Sequence, residues 1–247
     1  MKALIFAAGL GTRLRPLTDT MPKALVPVAG VPMLERVLCK LRDAGFGPIV
    51  VNVHHFASQI ENFLASKDFG VQVSISHEVR EPLETGGGIR HAAPLLASPE
   101  GRFLVHNVDI LSDLDLRWFL EQDDPDALAT LLLIDAPADR YLLFDEQMRL
   151  VGWTNVRTGE VKSPYLPDFD PANYRRYSFC GIHVVSDAVF EKMTSWPEKF
   201  SIIDFYLQQC AAGTIRGIVA PDLHLIDIGS PAKLEEAGRE VLAGRLG

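Results

Sequence analysis

Lys2-Ala3-Leu4-Ile5-Phe6-Ala7-Ala8-Gly9-Leu10-Gly11-Thr12-Arg13 is the stretch that decides the fold. From Lys2 to Ala8 it is a short, almost unbroken apolar run that stops at a glycine. A run of that length without alternation reads as a strand buried on both faces, as in the interior of a parallel sheet. Glycines directly after such a strand let backbone N–H groups come close to a phosphate.

Working outward, Pro32 to Ala44 places Met33, Leu34, Val37, Leu38 and Leu41 on one helical face and closes at Gly45. Pro48 to Val53 reads as the next strand. Ala57 to Leu64 reads as a helix with Ile60, Phe63 and Leu64 inward, and Val71 to Ser76 as a strand. After a glycine run, Gly88 to Leu96 reads as a helix, and Arg102 to Val108 as another buried strand ending at Asp109. Strands alternating with helices at this spacing predict an α/β fold with a doubly wound, mostly parallel, Rossmann-like sheet. Its loops at the carboxyl edge are where such sheets bind ligands. Beyond Ala127 the pattern changes to antiparallel additions: Ala127 to Asp135, Tyr141 to Trp153, Phe179 to Val185, and two short strands within Ile215 to Ile228. Ser163 to Arg176 reads as a loop, Ser201 to Ala212 as a helix, and Pro231 to Leu242 as a final helix capped by Ser230. No repeat or linker interrupts the chain, so residues 1–247 are expected to form a single domain.

The composition, 47% hydrophobic and 23% charged, supports a sizeable core. A net charge of -8 excludes a broad footprint for nucleic acid, so any phosphate site must be local. Cys39, Cys180 and Cys210 form no Cys-x-x-Cys pair, which argues against a zinc site or a disulfide framework. The start of the chain lacks the apolar stretch of a signal peptide, and no run reaches the length of a membrane span; a cytoplasmic protein with no membrane partner is expected. The sequence leaves the oligomeric state open.

Two nucleotide motifs fail at the first loop. A dinucleotide fingerprint needs glycine where Leu14 stands and an acidic residue near Asn52-Val53-His54, and a P-loop needs Gly-Lys-Ser/Thr. What remains is Gly9-x-Gly11-Thr12-Arg13, with Lys23 ten residues after the arginine. An arginine and a lysine beside a glycine loop can neutralise a triphosphate and stabilise departing pyrophosphate.

With Pro22-Lys23-x-Leu25-x-Pro27-Val28 completing it, this string resembles the signature of the sugar-1-phosphate nucleotidyltransferases. Later landmarks of that family occur in order along the chain. The resemblance implies that Ala7, Ala8, Gly9, Gly11 and Thr12 bind the nucleotide and that Arg13 and Lys23 are catalytic. Glu81-Pro82-Leu83-Glu84-Thr85-Gly86-Gly87-Gly88 is similar to the family's glycine-rich turn against base and sugar, which assigns Gly86 and Gly87 to the nucleotide and Glu84 to the sugar. Asn107-Val108-Asp109 stands where the family has Gly-Asp, with Val108 replacing the glycine; the resemblance places Asn107 at the sugar and makes Asp109 a Mg²⁺ ligand. Asp227, in Ile226-Asp227-Ile228-Gly229-Ser230-Pro231, becomes the second carboxylate, a donor set that suits Mg²⁺. Gly181, in Phe179-Cys180-Gly181-Ile182, resembles the family's glycine beside the sugar, but the Glu-Lys pair expected upstream is missing; Lys162, Arg175 and Arg176 are the basic residues at hand.

The reaction so implied joins a nucleoside triphosphate to a sugar 1-phosphate and releases pyrophosphate. The acceptor phosphate is already anionic, so His54, His55, His77 and His106 are read as structural rather than as bases. Ala7-Ala8-Gly9, where guanylyl and adenylyl members often carry two glycines, favours UTP. The Glu81 to Gly88 string is most similar to the N-acetylmuramate-1-phosphate uridylyltransferase group. The alternatives are a guanylyltransferase acting on mannose or heptose 1-phosphate, and a non-catalytic regulator of the same fold that binds a nucleotide sugar.

Overall fold

The computed structural model describes residues 1–212 and 214–247 of the chain. The first half runs β1 (Lys2–Phe6), β2 (Pro27–Val28), β3 (Val31–Pro32), α1 (Met33–Asp43), β4 (Ile49–Val53), α2 (Ala57–Ala65), β5 (Val73–His77), α3 (Glu84–His91), α4 (Ala93–Leu96) and β6 (Arg102–Asn107). It continues through β7 (Ile110–Ser112), α5 (Leu116–Glu121), β8 (Ala129–Ile134), β9 (Arg140–Phe144), β10 (Leu150–Asn155) and β11 (Glu160–Lys162). The remainder is β12 (Arg175–Ser186), α6 (Ala188–Lys192), α7 (Ile202–Gln209), β13 (Ile215–Val219), β14 (Leu225–Asp227) and α8 (Pro231–Leu242).

Among the described residues ten strands share one sheet, in the order β11-β10-β9-β12-β6-β1-β4-β5, with β8 paired to β12 and, beyond it, β13 paired to β8 in parallel rather than antiparallel as expected. The central strands β6, β1, β4 and β5 are parallel, with Leu4 opposite both Val50 and Val105. The strands of the second half are added through β12, which runs antiparallel to β6, β8 and β9. Both faces are covered, which explains why β1 is apolar from Ala3 to Phe6. Ala3 and Ile5 pack with Leu34, Leu38 and Leu41 of α1 and Ile60 of α2, while Leu4 packs with Ile89 of α3 and Phe205 of α7. Cys39, Cys180 and Cys210 are free thiols. No helix among the described residues is long and apolar enough to cross a membrane.

Three departures from the sequence reading bear on the site. The helix expected from Gly88 begins at Glu84, so Gly86, Gly87 and Gly88 lie inside α3, and it breaks at Ala92 before α4. Close packing outweighs the poor helix propensity of glycine here. A Cβ on Gly86 would lie 2.3 Å from the Phe200 ring, and one on Gly87 would lie 2.4 Å from the Glu198 carbonyl oxygen. Next, the loop expected up to Arg176 ends earlier, because β12 already starts at Arg175. Along β12 the register against β8 shifts between Phe179 and His183, at Gly181 with its φ of 70°. Such a bulge re-aims the strand. Finally, β7, α5 and α6 are too short to leave a periodicity in the sequence. The last helix, α8, matches its expectation, with Ser230 accepting from the Lys233 N–H at 3.4 Å.

Candidate active site

The chain after β1 is a coiled loop that serves to aim Lys23. Leu14 and Ala24 are buried and anchor it. Gly11 takes a left-handed φ of 63°, and its carbonyl accepts from the Thr18 hydroxyl at 2.8 Å. A Cβ on Gly11 would stand 2.9 Å from Thr18 Cγ2 and 3.1 Å from Lys23 Cβ. Gly11 is therefore required both by its backbone angle and by the close approach of the lysine stem.

Two distant carboxylates meet at that lysine. β7 and β14 pair antiparallel with Asp227 opposite Ile110, and the Ile228 N–H donates to the Asp109 carbonyl at 3.0 Å. This small ladder sets Asp227 beside Asp109 at the carboxyl edge of β6. Lys40 supports it from α1, donating to the Ser112 carbonyl. Lys23 Nζ hydrogen-bonds Asp109 Oδ2 and lies 3.7 Å from Asp227 Oδ1, while Arg13 Nη2 is 4.0 Å from Asp227 Oδ2. Burial, and next the negative charge of Asp109, raise the Asp227 carboxyl above its ordinary range, against the pull of Lys23 and Arg13. Two carboxylates and two basic side chains thus meet here, with Lys23 shared between the carboxylates. The sequence reading overlooked Gly229, over which the arginine lies: a Cβ there would be 2.7 Å from Arg13 Nη2.

From this cluster a cleft of ≈ 230 Å³ runs along the ends of β1, β4 and β6. Ala7, Ala8 and Gly9 line it, as do Glu84, Asn107, Asp109 and Lys23. Gly181 abuts its rim, since a Cβ there would meet Asn107 Nδ2 at 2.4 Å. Val108 also lines the cleft without disturbing the turn; its N–H donates to the Phe6 carbonyl at 3.2 Å and its side chain is buried. Gly86 and Gly87 stand apart from this lining. Both of their N–H groups donate to the Phe200 carbonyl, at 2.9 and 3.2 Å, so they fasten α3 in place and leave Glu84 and Thr85 to face the cleft. Thr12 opens the turn that carries Arg13.

The cleft wall holds a second group that the sequence reading passed over. Glu78, 2% exposed, accepts from Asn52 Nδ2 at 2.7 Å and from the Leu83 N–H at 2.8 Å. Asn52 Oδ1 is buried without a partner. The available signal was one asparagine in the otherwise apolar strand Ile49–Val53. The buried histidines are structural in character. Burial holds His106 down to about 4, so it is neutral, and its Nδ1–H donates to the Asn107 carbonyl at 2.7 Å behind the Asn107–Asp109 turn. Burial takes His183 lower still, to about 3, beside the Tyr206 hydroxyl at 2.9 Å.

A glycine loop, a lysine and two aspartates at the carboxyl edge of the parallel strands stand where open α/β sheets bind their ligands. The family model for nucleotidyl transferases matches residues 2–141, and the chain belongs to that family. N-acetylmuramate alpha-1-phosphate uridylyltransferase from Caulobacter vibrioides is 31% identical over 96% of this chain and 96% of its own length. The enzyme of that name from Neisseria meningitidis serogroup B is 49% identical, over 47% of this chain and 49% of its own length. In fold the chain is similar to UDP-glucose pyrophosphorylase from Acinetobacter baumanii, with a TM-score of 0.78 and 19% identity over 98% of this chain and 93% of that one.

Proposed function

We propose that this chain, as a single nucleotidyltransferase domain, transfers the uridylyl group of UTP to N-acetylmuramate 1-phosphate and releases pyrophosphate. The observation that carries the reading is the convergence of Lys23, Arg13, Asp109 and Asp227 at the mouth of a cleft formed by the first loop. The choice of uracil and of the sugar rests on the two relatives named for that reaction and on the Ala7-Ala8-Gly9 start. With a nucleoside triphosphate as donor, the reaction would run in the cytoplasm.

Asp109 and Asp227 would hold Mg²⁺, for which the crowding of two carboxylates around Lys23 is the fitting feature. Bound there, Mg²⁺ would supply charge neutralisation for the phosphates. The work of the chain itself is alignment and electrostatics. The acceptor phosphate is anionic at neutral pH and needs no base to attack the α-phosphorus. Lys23 and Arg13 stand where negative charge collects on the leaving pyrophosphate, and the arginine fork can grip two oxygens at once. Ala7, Ala8 and Gly9 offer a backbone surface for the nucleotide. Asn107 and Glu84, with Gly181 at the rim, form the wall given to the sugar.

Pyrophosphate release, measured with each nucleoside triphosphate against N-acetylmuramate, glucosamine, mannose and heptose 1-phosphates, tests this directly. UTP should give a kcat/KM at least about tenfold above GTP, or about 1.4 kcal/mol of discrimination. A preference for GTP with any acceptor would overturn the uridylyl assignment.

A further inference from the structure

A second and larger cleft, of ≈ 400 Å³, opens beside the first. Trp153 of β10, Tyr141 of β9 and Phe179 of β12 give it aromatic walls, and Ile203 of α7 closes one side. The two clefts adjoin. Phe179 stands two residues before Gly181, the glycine that touches Asn107 in the first cleft, a separation of about 7 Å along a strand. Across the gap, the Ile202 N–H of α7 donates at 3.0 Å to the hydroxyl of Thr85, which lines the first cleft. Phe6 of the first cleft packs on the same hydrophobic cluster as Trp153, Phe179 and Ile203 of the second.

The charges around this second cleft run against the net charge of -8 for the whole chain. Arg140 and Lys162 line it, and Arg176 lies over the Tyr141 ring at 5.5 Å. The carboxylate in the lining is Asp204, which Lys162 engages at 3.1 Å while its ammonium lies 5.2 Å from the centre of the Trp153 ring. Asp139, next to Arg140 in the chain, is taken by Arg157 at 3.3 Å. Among the described residues, neither Arg140 nor Arg176 is within ion-pair distance of a carboxylate. Aromatic walls suit the apolar face of a sugar, and unpaired guanidinium groups at their edge suit a carboxylate.

We propose that the second cleft receives an acidic substituent of the acceptor sugar, with Arg140 and Lys162 as the groups that select it. The inference rests on the proposed acceptor class. N-acetylmuramate differs from N-acetylglucosamine by a lactyl ether that ends in a carboxylate, and with the sugar ring against Asn107 and Gly181 that arm extends toward Phe179 and Arg140. The Lys162–Asp204 pair keeps the cleft closed to chance anions and yields its ammonium when a carboxylate arrives. Neutral sugar 1-phosphates leave Arg140 without a partner and bind less tightly.

The test compares N-acetylmuramate 1-phosphate with N-acetylglucosamine 1-phosphate as acceptors, using UTP and Mg²⁺ with the full chain. The intact protein should prefer the acidic acceptor by about tenfold or more in kcat/KM, mainly through KM. Arg140→Ala and Lys162→Gln should each shrink that ratio toward one, whereas Lys233→Gln, whose side chain pairs with Glu236 on α8 outside the cleft, should preserve it. Equal use of the two acceptors by the intact protein, or an undiminished ratio in Arg140→Ala, would overturn the assignment of the second cleft alone. Turnover of neither acceptor would overturn the proposed acceptor class, and this inference with it.

Discussion

Replacing Gly229 with alanine separates the placement of Arg13, the proposed catalytic group, from the stability of the fold. The added Cβ would lie 2.7, 2.9 and 3.0 Å from Nη2, Cζ and Nη1 of Arg13. Nonbonded atoms rest at about 3.5 Å or more, so the guanidinium must retreat by about 0.8 Å. From the 4.0 Å separation of Arg13 and Asp227, that retreat weakens their attraction by about 0.7 kcal/mol at an effective dielectric of about 20. The Arg13 side chain is 72% exposed, and screening reduces the loss to a few tenths of a kcal/mol, too little to shift the melting temperature appreciably. In the proposed reaction Arg13 meets a phosphate, and there its displacement is far more costly, at about 10- to 100-fold in turnover for a shift near 1 Å. Gly229→Ala should therefore lower kcat/KM by about 10-fold or more with an unchanged Tm. Pyrophosphate release, read beside thermal unfolding, checks both halves. Arg13→Ala should cause at least as large a loss, and the double variant should be no worse than Arg13→Ala alone, because the glycine acts through the arginine. Losses that multiply in the double variant, or a Gly229→Ala protein that melts several degrees early with normal kinetics, would refute this reasoning.

Two further outcomes follow from the same geometry. Asp109→Ala and Asp227→Ala should each reduce turnover by at least about 100-fold, or about 2.7 kcal/mol of transition-state stabilisation, while the protein stays folded; near-normal activity of either variant at saturating Mg²⁺ removes that residue from the proposed ligand pair. Acid should destabilise the fold through His183, whose folded-state pKa is about 3 against about 6.5 in an unfolded chain. Below pH 6.5 the unfolded state binds a proton that the folded state excludes, so stability is complete above that pH and falls by about 2 kcal/mol at pH 5. Urea unfolding at pH 7 and pH 5 measures the loss; buried His106, held down to about 4, adds to it in the same sense, so His183→Gln should reduce the pH slope by about half, and an identical slope in that variant would show that His183 carries none of the effect.

Much of the frame was legible because it is written in local patterns. The apolar run at Lys2 to Ala8, the amphipathic helix α1 and the capped helix after Ser230 each declare themselves without help from distant residues. The resemblance pointed to Arg13, Lys23, Asp109 and Asp227 from three separate segments, and the structure brings all four to one place. What stayed hidden depends on contacts between remote segments. The glycine run read as a turn because glycine is a poor helix former, yet Phe200 and Glu198, more than a hundred residues later, press on α3 so closely that only glycine fits. The role of Gly229 is invisible until the arginine that lies over it is placed. Glu78 and Asn52 were missed for the same reason, since neither the strand nor the loop carries a sign that they meet.

The most direct test of the proposed chemistry follows the phosphorus atoms. The protein is incubated with Mg²⁺, N-acetylmuramate 1-phosphate and UTP labelled with ³²P at either the α or the γ position, and the products are separated. The expected result is α-label in the nucleotide sugar and γ-label in pyrophosphate, with both signals lost in Asp109→Ala. Label from the γ position on the sugar, or tight nucleotide binding without release of pyrophosphate from any nucleoside triphosphate and sugar 1-phosphate, would contradict it.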